Sequence, residues 1–576
     1  MRLKKFERKA FKSFPFLWSL SLFAPRISQD SCHATSPTGS ALESGADWSA
    51  ACAGFSGTWI LSSDWLSYGM RKFLLTTAIL VAAAFPHMTF AQGCDGAGNC
   101  YVRAAATGAG TGADWTNAYT GFGTGAGQAN PASLTRGVNY YVAGGNYNLT
   151  SVTTFSSPAS GTALITILAP TIAIHGTATG WSNAYQAQAV FGPIVVNSGY
   201  WTLNGVYRGS GTGLPATDWR TGYGFKIMGS NGSGGVPVPG NTSILHVGDS
   251  AADEADHVTI EYFEIQGSGD TTCTIPDSNG FNYAQYPVIM YNYVHDVGGS
   301  GFVVDSDTVD IIEYNWIMNT QSCQAGSGHS EGFAIRFMNT LTFAYNYLEN
   351  IEGTGYIGTP CPGATCWSFA QDTWSFYGNV FFANTSEWHG NCASGCTRTG
   401  GQDGLSSAII QFFGSASDPQ IFTAWHWYNN TFYGLGGNAT SNGPGPCDML
   451  NGLPTSTKVK SLVFENNIGG NCTKIGMPNL GGGTLTQDHN TYCNVGNITD
   501  TGTGLQTLAT CALLNSPSTN NLTLLSDTSP WTTLDSPFNV DIVGNTRTSS
   551  RGAFQMGGVA ANVPAPPTSL IATVQQ

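Results

Sequence analysis

Five polar residues near the middle of the chain, Asp305, Asp307, His329, Glu331 and Arg336, carry the groups that chemistry on a sugar polymer needs. A lyase acting on a uronic-acid polymer requires a cation against the substrate carboxylate and a base for the adjacent ring proton. Asp305, Asp307 and Glu331 offer hard oxygen ligands for calcium, and Arg336 or His329 would serve as the base. A glycoside hydrolase instead requires two carboxylates, one as acid and one as base or nucleophile. The same acidic residues could supply them. Trp388, Trp367 and Trp425 add flat apolar faces of the kind that stack on pyranose rings. Trp388, flanked by Glu387 and His389, is the best placed, whereas Trp374 and one of Trp425 and Trp427 read as core residues. The plain alternative is an exposed ion pair between Asp305 and Arg336, which would contribute little. His295-Asp296 reads as a solvated turn.

Only a scaffold of fixed register brings residues this far apart together. Residues 291–302 (YNYVHDVGGSGF) align without a gap with residues 345–356 (YNYLENIEGTGY), and residues 314–319 (YNWIMN) repeat the first half. Further copies centre on Asn379, Asn430 and Asn467, so the steps from Asn292 onward are 23, 31, 33, 51 and 37 residues. The shortest step suits one turn of a parallel β-helix, in which successive coils close one continuous core. Asn at a recurring bend tolerates left-handed backbone, and its amide can bond to the copies above and below. In this frame Phe302 matches Phe333 and Val304 matches Ile335. With those pairs inward, Asp305 and Arg336 point outward on adjacent coils, about 5 Å apart by strand spacing. The surplus length of the longer repeats predicts loops at about 320–332, 354–372, 384–405 and 434–458, forming a wall on one side. Cys323, Cys361, Cys366, Cys392, Cys396 and Cys447 fall in them.

Composition agrees with this fold. Short β-branched and aromatic runs such as Val258 to Phe263 alternate with Gly, Asn, Ser and Thr, and helix-forming segments are nearly absent. The fold class expected is all-β, a single-stranded right-handed parallel β-helix with long disulfide-stapled loops on one side. Met70-Arg71-Lys72, an apolar run from Phe73 to Phe85 and small residues before Gln92 read as a secretory signal over 70–91. Residues 1–69 read as an upstream mis-called or disordered segment, 92–560 as the β-helix, and 561–576 as a Pro-rich linker or tail. From Gln92 onward twelve Lys and Arg face thirty Asp and Glu, a net charge of −18. That balance excludes nucleic acid and anionic membrane surfaces as partners, and no stretch after the signal is apolar enough to insert in a membrane. Twelve cysteines remain, an even number that reads as disulfides in an exported protein, with Cys361–Cys366 and Cys392–Cys396 the nearest pairs. The expected state is a monomer.

Three stretches also carry a resemblance. Residues 101–119 and 140–147 resemble the opening and first full coil of bacterial extracellular pectate-lyase-like β-helix proteins. Asp541 to Arg547, followed by Arg551-Gly552-Ala553-Phe554, resembles the closing motif of the same group. Arg103 stands where that group often has an acidic residue. The two acidic positions followed one coil later by Gly328-His329 resemble polygalacturonase-type hydrolases, whose downstream Arg-Ile-Lys element this chain lacks. The resemblance implies a protein secreted or held at the cell surface that binds and cleaves a polysaccharide, by calcium-assisted elimination or by hydrolysis. The rival expectation is a non-catalytic adhesin or structural spacer.

Overall fold

The computed structural model describes residues 94–206, 220–229, 243–248, 255–267, 279–283, 288–305, 309–320, 331–336, 340–351, 356–359, 372–383, 408–412, 422–435, 446–451, 460–477, 480, 483–517, 521–526 and 531–556. The expected leader (1–69 and 70–91), the tail beyond 560, and the cysteine pairs Cys361/Cys366 and Cys392/Cys396 lie outside these residues.

The chain is a parallel β-helix. One ladder of 12 strands runs from Asn99–Val102 to Thr484–Asp488. Two further ladders run beside it and join at Ile468–Gly476, which pairs with both Thr431–Tyr433 and Pro446–Asn451. One coil takes a strand from each ladder in turn: Val288–Met290, Tyr293–Val297 and Phe302–Asp305. The next coils repeat the order, with Val309–Glu313, Trp316–Thr320 and Phe333–Arg336, then Thr340–Ala344, Tyr347–Ile351 and Tyr356–Thr359. Alternate side chains point inward, so Val294, Ile317 and Leu348 stack in one column and Ile289, Ile312 and Phe343 in another, all buried. Phe302 and Phe333 stack at 4.8 Å with rings 8° apart. Toward the C-terminus Phe376 stacks on Trp427 at 4.5 Å, and Trp374 meets Trp425 edge-on.

The repeated motif is explained by two left-handed residues that bracket each second-ladder strand. The expectation placed the left-handed backbone at the ladder asparagine itself, and the structure moves it one residue back. Tyr262, Tyr291, Tyr314 and Tyr345 hold φ between 56° and 58°, as do Asn429 and Asn466 at 57° and 56°. Tyr262 thus breaks the expected 258–263 strand into Val258–Glu261 and Phe263–Gln266. Four residues after every ladder asparagine except Asn379 comes a second such residue: Asp296, Asn319, Asn350, Gly434, Asn471 and Asn494. A left-handed non-glycine costs about 1–2 kcal/mol, and two features offset it. The tyrosines stack from coil to coil at 4.9, 5.0 and 4.8 Å. The asparagines that follow them form a buried amide ladder.

In that ladder each Nδ2 donates to the next Oδ1, from Asn292 through Asn315, Asn346, Asn379, Asn430 and Asn467 to Asn490, at 2.9–3.2 Å. Each Nδ2 also donates to a first-ladder carbonyl of the coil before, such as Ile312 O from Asn346 at 2.9 Å. Each backbone N–H donates to the same next Oδ1, as Asn346 does to Asn379 at 2.9 Å. The polar groups of the bend are thereby satisfied internally. Asn490 extends the row one coil beyond the repeats found in the sequence.

The ends are covered. At the N-terminal end an excursion containing the four-residue helix Ile172–His175 folds back over the first ladder. It packs His175 and Trp181 against Trp115, with ring centroids 5.4 Å away in each case. Arg103 lies 5.3 Å over the Tyr185 ring and donates to the Trp115 carbonyl. Disulfides join Cys94 to Cys100 and Cys493 to Cys511, and Cys472 is disulfide-bonded as well. At the other end residues 531–556 run back along the first bend as a strap. Tyr345 donates to Pro537 O, Asn429 to Phe538 O and Asn466 to Thr532 O.

Candidate functional site

Connectivity singles out one face. From Val258–Glu261 onward the bend between the first and second ladders is short and constant, as at Tyr291-Asn292, Tyr314-Asn315 and Tyr345-Asn346. In these coils variation in length enters on either side of the third ladder, whereas the two coils before them carry long first-to-second connections, from Leu168 to Ala189 and from Asn204 to Phe225. Twelve residues are spent between Trp316–Thr320 and Phe333–Arg336, against three between Phe333–Arg336 and Thr340–Ala344. Whatever is inserted flanks the strands that carry Asp305 and Arg336.

On that ladder the register is the expected one. Phe302 pairs with Phe333, Val304 with Ile335, and Asp305 with Arg336. Glu331, at the turn into the strand carrying Arg336, is buried, and its Oε2 accepts a 2.8 Å hydrogen bond from Ser300 on the preceding coil. It is thus built into the junction rather than overhanging it from a loop. His329, Asp307, Trp388 and Trp367 lie outside the described residues. Of the three expected calcium ligands only the Glu331 carboxylate is described, and one of its oxygens is engaged by a hydroxyl donor. Among the described residues no three acidic, histidine or cysteine side chains converge in a metal-binding group. Trp425 is a correction: it is wholly buried in the core, with Trp427 and Trp374, and offers no face to a sugar. Its inward direction follows from pairing with Trp374, whose own inward place is set by Leu341.

A second polar group, unread in the sequence, occupies the outer face of the second ladder. His295 is not a solvated turn. Its Nδ1 lies 2.8 Å from Asp296 Oδ2 and its Nε2 3.3 Å from Glu264 Oε1, with 10% of the side chain exposed. Glu264 also accepts from Lys226 Nζ and, at 3.0 Å, from Gln188 Nε2. Asp296 accepts through its other oxygen from Asn319, which in turn accepts from Asn350. Tyr293 stacks on the imidazole at 4.2 Å. Burial opposes charge on His295, yet hydrogen bonds to Asp296 and Glu264 lift its pKa above the ordinary histidine value. Burial likewise opposes charge on Glu264, but hydrogen bonds from His295, Lys226 and Gln188 draw it down to about 2. The signal was available. Applying to the second ladder the frame used for the third sets Gln266 opposite His295 and Glu264 opposite Tyr293.

The first ladder ends in two further acids, Glu261 and Glu313, both pushed up to about 7 by burial. Glu261 accepts from Asn204 at 2.7 Å, and Glu313 lies 3.5 Å from the Tyr377 hydroxyl. Folded-state pKa values raised above the unfolded ones, as for Glu261, Glu313 and His295, give stability that is complete at acid pH. It is lost as pH rises through the folded values. Glu264 is depressed, so its contribution is present above about pH 4.5 and is lost as pH falls toward about 2. The melting temperature should therefore peak at about pH 4–5 and fall by several degrees by about pH 8. Glu261→Gln and Glu313→Gln should flatten the alkaline limb, as read by calorimetry across pH.

The three parallel ladders, the buried amide row and the insertions flanking one ladder define a parallel β-helix with one elaborated face. No family model matches the chain, and no curated protein matches it. Similar solved structures include a mannuronic-acid-specific polysaccharide family 6 lyase from human gut microbiota, 10% identical over 66% of this chain and 79% of that one, with a TM-score of 0.32. A GH136 lacto-N-biosidase from Eubacterium ramulus is 8% identical over 72% of this chain and 66% of that one, also at 0.32. PfbA, a surface adhesin of Streptococcus pneumoniae, is 10% identical over 63% of this chain and 84% of that one, at 0.25.

Proposed function

We propose that this chain is an extracellular β-helix protein that binds a polysaccharide along its third-ladder face and cleaves it there. The observation that carries the reading is topological. From Val258–Glu261 onward every long connection flanks the ladder on which Asp305 and Arg336 are register partners, and such flanking segments are how a solenoid builds a binding cleft. An acid beside a cation on neighbouring coils, with Glu331 fixed at the adjoining turn, supports proton transfer at a sugar ring. Elimination would draw on calcium held by Asp305, Asp307 and Glu331, with Arg336 or His329 as base. Hydrolysis would use two of the carboxylates. Trp388 and Trp367 are the proposed stacking residues. Disulfides at Cys94–Cys100 and Cys493–Cys511 suit an oxidising, extracellular setting. The non-catalytic adhesin or spacer is favoured by one feature, a 12-strand ladder braced at both ends, which serves as well for a rigid presenter.

A panel of acidic and neutral polysaccharides decides between them. Ultraviolet absorbance reports new unsaturated ends, and a reducing-end assay reports hydrolysis. Arg336→Ala should lower cleavage by about 100-fold or more with the melting temperature nearly unchanged, since an outward charge contributes little to stability. Full activity in that variant would remove Asp305 and Arg336 from the site. Binding without any product would establish the adhesin.

A further inference from the structure

We propose that His295 is the movable pin of a pH-responsive brace, which locks the second-ladder strand to the coil before it and loosens when the imidazole loses its proton. The geometry is specific to one coil. At the position equivalent to His295 the following coils carry Met318, Glu349 and Phe382, and at that of Asp296 they carry Asn319, Asn350 and Ala383. Among the described second-ladder strands, only here does a histidine adjoin a carboxylate at this left-handed position. It also faces a glutamate, Glu264, that is already tied to Lys226.

The protonated ring donates from both nitrogens, to Asp296 on one side and Glu264 on the other. A neutral ring can donate from only one, so one carboxylate then faces a lone pair. The consequence spreads beyond the pair. Asp296 Oδ1 is the terminal acceptor of the short row Asn350–Asn319–Asp296, which fixes the ends of three successive second-ladder strands. Six residues beyond Asp296 the third ladder begins, at Phe302–Asp305. The charged groups facing the brace are Glu264 and Lys226 from the preceding coils, and Asp296 beside it. Glu349 lies two coils on, and Arg220 sits 5.3 Å over the Trp316 ring. Tyr293 covers the ring face. Acids outnumber cations around the imidazole, which favours its proton at neutral pH.

Hydrogen exchange of the whole protein, read by mass spectrometry on peptides spanning 293–305, tests this. After division by the intrinsic rate, protection there should fall about tenfold or more between about pH 6 and about pH 9. Peptides spanning 340–351 serve as the internal reference and should change less. In His295→Gln the protection of 293–305 should be low and independent of pH. Asp296→Asn should also abolish the pH dependence. Because asparagine occupies the equivalent places 319 and 350, that variant keeps the amide row and decides the matter should His295→Gln not fold. Protection that does not vary with pH in the unaltered protein, or that varies equally in Asp296→Asn, overturns the brace.

Discussion

Asn346→Ala should destabilise the protein by about 4 kcal/mol, far more than an average substitution. Asn346 is wholly buried in the middle of the amide ladder. Its Oδ1 accepts from both the backbone N–H and the Nδ2 of Asn315, each at 3.0 Å. Its Nδ2 donates to Ile312 O and Asn379 Oδ1. Alanine would take the acceptor from the Asn315 backbone N–H and the side-chain donor from Ile312 O in a dry bend, each at about 1–3 kcal/mol, and would cost the Asn315 Nδ2 one of its bonds. The space left by the amide is flanked by neighbouring coils that cannot collapse without losing register. Asn515→Ala, at an exposed hairpin whose amide makes one 3.4 Å contact, should change stability by less than about 0.5 kcal/mol. Urea midpoints of the three proteins, followed by circular dichroism, provide the comparison. Equal midpoints for Asn346→Ala and the parent would mean that the row is ornamental.

Arg551→Met should release the C-terminal strap, at a cost of about 3–5 kcal/mol. The guanidinium is wholly buried, donating to Asn490 O at 2.8 Å, Thr491 Oγ1 at 2.9 Å and Gly504 O at 2.9 Å. Methionine fills much of the volume but satisfies none of these acceptors. The remainder of the strap is held by Asp541, which accepts four hydrogen bonds, and by Arg547, which donates to Val540 O, Ser550 O and Ala553 O. Those contacts knit the strap to itself, whereas Arg551 joins it to the coils with its charge, beside the neutral bonds made at Thr532, Pro537, Phe538 and Ala553. Limited proteolysis should therefore cut the variant within 531–556 before the solenoid itself yields. A parent-like digestion pattern would place the anchor elsewhere, at Phe538 against Tyr377 and Tyr428.

The sequence made some of this legible and hid the rest for physical reasons. A motif repeated at the same bend is a strong signal, so the register of Phe302 with Phe333 and of Asp305 with Arg336 could be read directly. The last copy of the motif escaped because His489 stands where tyrosine marks several other copies, although its φ of 49° does the same backbone work. His295 escaped because its partner Glu264 is a coil away and 31 residues distant. Register was traced only on the ladder already expected to hold the site. Trp425 lies beside the loop-rich half of the sequence, which suggests a sugar-facing role, but strand alternation sends both it and Trp427 inward. The closing motif was recognisable as a motif, but nothing local in Arg551 shows that it reaches residues 60 and 61 positions earlier.

The amide ladder also has a polarity. Every side-chain carbonyl in it looks back toward the N-terminal coils and one N–H of every amide looks forward, so the side-chain bonds along the row share one direction, and bonds aligned in this way polarise one another. The row opens where Asn292 Oδ1 receives the N–H of Phe263. It closes where the forward-pointing Nδ2 of Asn490 meets the carboxylate of Asp500 at 2.9 Å. That carboxylate places negative charge at the positive end of the array, as an acidic residue does at a helix N-terminus. An ionised carboxylate can only accept, so it cannot pass the pattern to another coil. Asp500 thereby terminates the array chemically, from outside the row itself, since the register place after Asn490 is held by Leu505.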